Sequence, residues 1–149
     1  MKLSIIVVSF NVKGHLGLCL DAALKAMDEM GSVQSELIVL DNASSDGTVD
    51  WVASNYPRVK LIASQQNLGF SKGNNRAYQE SSGEWVLLLN PYTGVAEDTF
   101  ALVLSHAEAN PKLGAIGVPM YDASGRRLPE NNIGMPTPSA AFSPLRAPG

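Results

Sequence analysis

The sequence predicts an α/β fold, a mostly parallel, Rossmann-like sheet with helices on both faces. Three observations lead there. Apolar runs of strand length alternate with segments of helical period along most of the chain. The runs "LSIIVVSF" and "ELIVLD" are continuously apolar rather than alternating, as in strands covered on both sides. Each run also ends abruptly in small or polar residues, as connections at the edge of such a sheet do.

The elements follow in order. Residues 3–10 are β-branched and apolar and form the first strand. From Lys13 to Met30 the period lengthens: Leu16, Leu20, Leu24 and Met27 share one helical face, while Asp21, Lys25 and Asp28 take the other. Gly14 and Gly17 weaken its first turn. Residues 36–41 are a second strand. Residues 44–56 read as a turn and a short helix ended by Pro57, with Val49, Val52 and Tyr56 inward. Residues 58–64 and 84–90 are the third and fourth strands. Between them 71–82 is the weakest helix, because Gly73 and two asparagines are poor helix formers. Residues 96–110 form an amphipathic helix with Glu97 and Asp98 at its N-terminus and Pro111 beyond its end. "LGAIGVP" (113–119) reads as a fifth strand, and 121–128 as a hairpin or exposed turn around Ser124-Gly125.

A chain of 149 residues, 45% apolar and 17% charged, is long and apolar enough to bury a core. The expected organisation is one α/β domain over 1–128, then a proline-rich arm over 129–149 that holds five of the nine prolines. A net charge of −3 without a basic run argues against nucleic acid or a polybasic membrane patch as partner. No run approaches the ~20 apolar residues of a membrane span. The first strand begins too close to Met1 for a signal-peptide core. A cytoplasmic location is expected, including the inner face of the membrane as a peripheral site. The single cysteine, Cys19, sits among Leu18, Leu20 and Ala22 and reads as a small core residue. His15 and His106 fall on helices and form no metal-binding cluster. No G-x-G-x-x-G follows the first strand and no P-loop occurs, so the dinucleotide and P-loop readings have no warrant.

Right-handed crossovers place the carboxyl ends of parallel strands on one edge, where ligands of such sheets bind. The residues there are Ser9-Phe10-Asn11 after the first strand and Asp41-Asn42-Ala43-Ser44-Ser45-Asp46 after the second. Gln65-Gln66-Asn67-Leu68-Gly69 follow the third, and Asn90-Pro91-Tyr92-Thr93 the fourth. Asp41 is a carboxylate at the end of a buried strand. It has two readings: an acceptor for a base N–H or a ribose hydroxyl, or a cap on its own turn with Ser44 and Ser45.

"SIIVVSFN", "ELIVLDNASSDGT", "NLGFSKGNN" and "WVLLLNPYT", in this order and spacing over residues 3–118, resemble the nucleotide-sugar-binding half of family-2 inverting glycosyltransferases, most of all the rhamnosyltransferase-type branch. The resemblance implies a GT-A fold cut short after its donor-binding half, and a UDP- or dTDP-sugar donor. It also implies a glycan or lipid-linked acceptor and a Mg²⁺ or Mn²⁺ cofactor. By the same resemblance Phe10 lies near the base and Asp41 reads it, and Ser9 and Asn11 beside Phe10 are further nucleotide-binding candidates. Asn67, Gly69 and Asn75 close over the nucleoside, and Asn90 lies by the ribose and diphosphate as the first position of the D-x-D element.

Two departures stand out. Tyr92 occupies the last position of that element, where the family has an Asp that holds the metal ion. An ordinary phenol ionises only near pH ~10 and is a poor ligand for hard cations. Metal binding is therefore expected to be weak or absent, unless Glu97 or Asp98 reaches in. The family also carries its acceptor site and carboxylate general base in a later part of the chain. Here Asp122 and Glu130 are the only carboxylates after residue 119, and neither stands in a context that marks a base. Catalytic residues stay unassigned. Three readings remain open: a transferase or its donor-binding half, a binding module that keeps the nucleoside pocket without metal-dependent transfer, and a generic α/β domain with a different small ligand. Apolar surface left open on a bare core predicts self-association.

Overall fold

The computed structural model describes residues 2–122 and 124–128. Contacts divide the chain into two compact units, Met1–Ala109 and the residues from Asn110 on. The first contains β1 (Leu3–Ser9), α1 (Lys13–Glu29), β2 (Ser35–Asp41), α2 (Thr48–Asn55), β3 (Val59–Ala63), α3 (Gly69–Tyr78), β4 (Trp85–Leu89) and α4 (Thr99–Ala109). The four strands form one sheet in the order β3-β2-β1-β4, every pair parallel. Leu3 of β1 faces Ser35 of β2 and Trp85 of β4.

The pleat sorts the strand residues onto two faces. Ile5, Val7, Leu37 and Val39 pack with Leu16, Cys19, Leu20, Ala23 and Met27 of α1, Val52 of α2, and Phe100 and Leu104 of α4. Ile6, Val8, Ile38 and Leu40 point the other way, onto Ala77 of α3. Helices therefore cover both faces, and β1 is buried along its whole length. The period-3.6 stripe of α1 carries much of the larger core. Each large side chain buried there is worth roughly 1.5–3 kcal/mol.

The weakest helix forms, but over Gly69–Tyr78 rather than 71–82. The glycine that weakened the prediction has a packing role. A Cβ on Gly73 would lie 3.0 Å from a methyl of Val8, so α3 approaches β1 as closely as it does because no side chain intervenes. At the opposite, amino-terminal edge Gly83 is tighter still. Its N–H donates to Ser4 Oγ at 2.8 Å, and Ser4 Oγ donates to Glu36 Oε1 at 2.6 Å. Ser82 donates to the same oxygen through both N–H and Oγ.

As expected, a turn over 44–47 leads into a short helix: α2 starts at Thr48, and Asp46 Oδ1 accepts both the N–H and the hydroxyl of Thr48. Two expectations are corrected. α4 starts at Thr99, so Glu97 and Asp98 precede it; Glu97 instead pairs with Lys25 of α1 at 2.7 Å. No strand forms over 113–119. Two glycines and Pro119 in that short run leave little to pack and remove an N–H, and Val118 stays 38% exposed.

The second unit contains the expected hairpin-like turn. Tyr121 and Arg127 form an antiparallel bridge, with Gly125 at φ 79°. Asp122 Oδ1 accepts from Ser124 and from the Arg126 N–H. The Ser124 hydroxyl, foremost, holds the Asp122 carboxyl below its usual range. Asp122 is thus a turn organiser. Glu130 and the arm 129–149 lie outside the described residues.

Candidate functional site

In the order β3-β2-β1-β4 the chain steps outward from β1 through β2 to β3, then returns to place β4 on the other side of β1. The strand order thus reverses between β1 and β4, and the carboxyl ends of those two strands flank the switch point where such sheets take ligands.

Three loops on this edge are stitched together. Asn42 N–H donates to Ser9 O at 2.8 Å, and Asn11 N–H to Ser44 Oγ at 2.9 Å. Asn11 Oδ1 accepts the Ser45 N–H at 2.8 Å. Asp41 Oδ2 accepts the Ser44 N–H at 2.8 Å, and Oδ1 accepts the Ser9 hydroxyl at 3.2 Å. Asn42 reaches on to the third loop: its Oδ1 accepts Leu68 N–H and its Nδ2 donates to Gly69 O, each at 3.2 Å. Asn67 Oδ1 accepts the Gly69 N–H at 2.8 Å, and Gly69 itself turns with φ 75°, a conformation open to glycine. Among the described residues the non-glycine positions with positive φ are Asn11 (52°) and Ala43 (63°), both in these loops. Such backbone strain gathers at functional sites.

Asp41 ends β2 at the carboxyl edge, where the sequence places it. Asp41 is wholly buried, and its carboxylate is committed to Ser9 and Ser44. The turn-capping reading is the one the geometry matches, although Ser45 bonds Asn11 rather than Asp41. Ser9 is likewise buried and donates inward. Phe10, by contrast, is 44% exposed at the mouth of the same edge, and Asn11, Asn67 and Gly69 are exposed beside it. Asn75 is exposed on α3; its neighbour Asn74 is buried and donates to Phe70 O. Asn42 is the residue that sequence reasoning passed over. It follows Asp41 directly, but an asparagine in a polar loop carries no spacing signal of the two loops that it joins.

The fourth turn docks on α1. Asn90 Oδ1 accepts the Tyr92 N–H at 3.1 Å, and Asn90 O accepts the Thr93 N–H and the Cys19 thiol. The Tyr92 ring is 61% exposed and packs edge-on against His15, with centroids 5.1 Å apart and planes at 61°. Cys19 is buried beneath the turn, and burial pushes its thiol up to about 11. The thiol is the form present at neutral pH, and the thiolate is the reactive one. In the native protein at pH 8 iodoacetamide should leave Cys19 unmodified while labelling it readily in denaturant; rapid native labelling, read by mass spectrometry, would contradict its burial.

The residues of the turn do not fit a divalent cation. Asn90 Oδ1 is occupied by backbone, and Tyr92 presents a phenol. Glu97 is tied to Lys25, almost three helical turns from His15 and so ~15 Å along α1. Among the described residues no group of three or more His, Cys, Asp or Glu side chains is placed to share an ion. A half-open cavity of about 390 Å³ exists at the opposite edge, lined by Lys2, Met30, Val33, Leu104 and Glu108, away from all these loops.

The profile of glycosyl transferase family 2 matches residues 4–146. The chain belongs to glycosyl transferase family 2. This family-2 chain is 28% identical to the N-acetylglucosaminyl-diphospho-decaprenol L-rhamnosyltransferase of Mycobacterium tuberculosis over 138 residues, covering 85% of this chain and 44% of that protein. It is 27% identical to the cholesterol galactosyltransferase of Borreliella burgdorferi over 112 residues, covering 73% of this chain and 30% of the other. It therefore spans less than half the length of these relatives. Its fold is GT-A. It superposes on S. aureus TarS residues 1–349 in complex with UDP-GlcNAc with a TM-score of 0.65 at 22% identity, covering 80% of this chain and 37% of TarS. It also matches the mannosyltransferase PcManGT of Pyrobaculum calidifontis in complex with GDP-Man and Mn²⁺, TM-score 0.64 at 26% identity, over 76% and 34% of the two chains. No helix of the family-2 chain, among the described residues, is long and apolar enough to cross a membrane.

Proposed function

We propose that this chain binds a UDP- or dTDP-linked sugar at the carboxyl edge of its sheet and serves transfer of that sugar to a glycan or lipid-linked acceptor. One observation carries the reading. In a family-2 chain, an exposed aromatic, Phe10, stands on hydrogen-bonded, strained loops beside the β1/β4 switch point. Phe10 offers a face to the base, and Asn67 and Asn75 are exposed polar groups beside the nucleoside. Ser9, Asn11 and Asp41 hold the loops in register, and Asn90 shapes the turn toward the diphosphate. Family resemblance supports the donor class, and the relatives' names support the acceptor class.

A second reading, donor binding without metal-dependent transfer, is favoured by the turn itself: Tyr92 is a phenol, and Glu97 is held away by Lys25. Titration calorimetry with UDP and dTDP tests both. Micromolar-to-millimolar binding is expected, changing less than about two-fold when Mn²⁺ replaces a chelator. In Tyr92→Asp the new carboxylate should make binding Mn²⁺-dependent by about ten-fold. No binding of either nucleotide would refute the site. Strong Mn²⁺ dependence of the unaltered chain would refute the metal-free reading.

A further inference from the structure

We propose that the facing rings of His15 and Tyr92 receive the donor's diphosphate directly, in place of a divalent ion; this rests on the nucleotide reading of the edge. The pair sits at the switch point, with His15 in the first turn of α1 after β1, and Tyr92 in the turn after β4. Its geometry is fixed from below. The Cys19 thiol donates to Asn90 O and Asn90 Oδ1 accepts the Tyr92 N–H, so α1 and the β4 turn are locked in register under the rings. The edge-on contact at 5.1 Å sets each ring against the other.

Both side chains are exposed, and neither the imidazole nor the phenol hydroxyl has a hydrogen-bond partner among the described residues. A phenol O–H and an imidazole N–H are donors, and a diphosphate offers only acceptor oxygens. Hydrogen bonds to such an anion are the charge-assisted kind and strengthen where water is displaced. A carboxylate at position 92 without an ion would instead repel the phosphates. The phenol removes that repulsion and adds a donor. The ring pair and the missing carboxylate are thus one adaptation. Of the acidic groups on the adjoining elements, Asp46 is held by the Lys13 N–H and by Thr48, and Glu97 by Lys25. No ion pair among the described residues competes for either ring.

The test separates the phosphates from the nucleoside. Uridine and UDP, and thymidine with dTDP, are titrated into the unaltered chain, His15→Leu and Tyr92→Phe, in chelator throughout. Both substitutions are on exposed rings, and circular dichroism melts confirm that the variants fold. The unaltered chain should bind the diphosphate at least ten-fold more tightly than its nucleoside. Each substitution should remove about ten-fold of the diphosphate affinity and leave the nucleoside within two-fold, the size expected for a hydrogen bond to a charged group. Equal affinity for nucleoside and diphosphate in the unaltered chain, or variants that keep the full difference, would overturn the ring pair while leaving the nucleotide site standing. Absence of nucleoside and nucleotide binding alike would overturn both.

Discussion

Gly83→Ala should lower the melting temperature by about 10 °C, the largest effect expected of an alanine placed at any glycine among the described residues. A Cβ there would lie 2.5 Å from the Ser4 backbone nitrogen, 2.7 Å from Ser4 Oγ and 2.8 Å from Trp85 O. Two of those atoms are backbone of β1 and β4, which are paired along Leu3↔Trp85 and Ser4↔Val86, so neither can turn aside as a side chain would. The methyl can be housed only by moving the entry of β4 away from the start of β1. That movement breaks the Gly83 N–H···Ser4 Oγ bond and disturbs the Glu36 carboxylate, which Ser4 and Ser82 share. Overpacking of this kind costs ~3 kcal/mol, and in a domain of this size each kcal/mol moves the midpoint by ~4 °C. Gly94→Ala is the control. A Cβ there meets nothing within 4 Å, and the change should stay within about 0.5 kcal/mol. Calorimetric melts of both decide it. Equal midpoints would mean that the close approach at Gly83 relaxes freely.

Legibility of the fold followed the physics of burial. β1 and β2 are buried on both faces, so their sequences are apolar without a period and declare themselves. α1 buries one stripe, and Leu16, Leu20 and Met27 mark it. Where a glycine exists for a long-range contact the local signal misleads. Gly73 reads as a helix breaker, yet it is what lets α3 sit on Val8. The run 113–119 failed in the other direction. Leu, Ile and Val made it look like a strand, but local apolarity says nothing about whether a neighbouring strand exists to pair with it. The start of α4 shifted for a third reason: Glu97 spends its carboxylate on Lys25, a partner that local propensity does not show.

The site was legible as a place and less so as a set of roles. Parallel topology alone sends the four post-strand loops to one edge, and Phe10, Asn11, Asn67 and Gly69 are found exposed there. Whether a polar residue faces a ligand or its own loop depends on bonds between segments far apart in sequence. Asp41 and Asn42 are adjacent in the chain and both buried; one holds Ser9 and Ser44, the other spans to Leu68 and Gly69. The His15–Tyr92 contact joins positions far apart in the chain through the β1–β4 pairing, and no motif encodes it.

Asp41 yields the second large effect, because its carboxylate is the post between the first two loops. Asp41→Ala leaves the Ser9 hydroxyl and the Ser44 N–H without their acceptor in a buried place. Unsatisfied groups of this kind cost ~1–3 kcal/mol each, so a loss of about 3 kcal/mol is expected. The loops that carry Phe10 and Asn11 should lose their register with it, and nucleotide affinity should fall at least ~30-fold, the binding equivalent of about 2 kcal/mol. Asp41→Asn separates the frame from a direct contact. An amide oxygen can still accept the Ser44 N–H, and the Ser9 hydroxyl can rotate to accept from the amide nitrogen. If Asp41 acts through the loops, the Asn variant should melt within ~1 kcal/mol of the unaltered chain and bind UDP within about three-fold of it. If the carboxylate opens to the base when the nucleotide enters, the Asn variant should keep its stability and still lose most of its affinity, because part of its acceptor capacity has become a donor. The two outcomes diverge in calorimetry while agreeing in the melt, and a stable, weakly binding Asn variant would place Asp41 in the pocket itself.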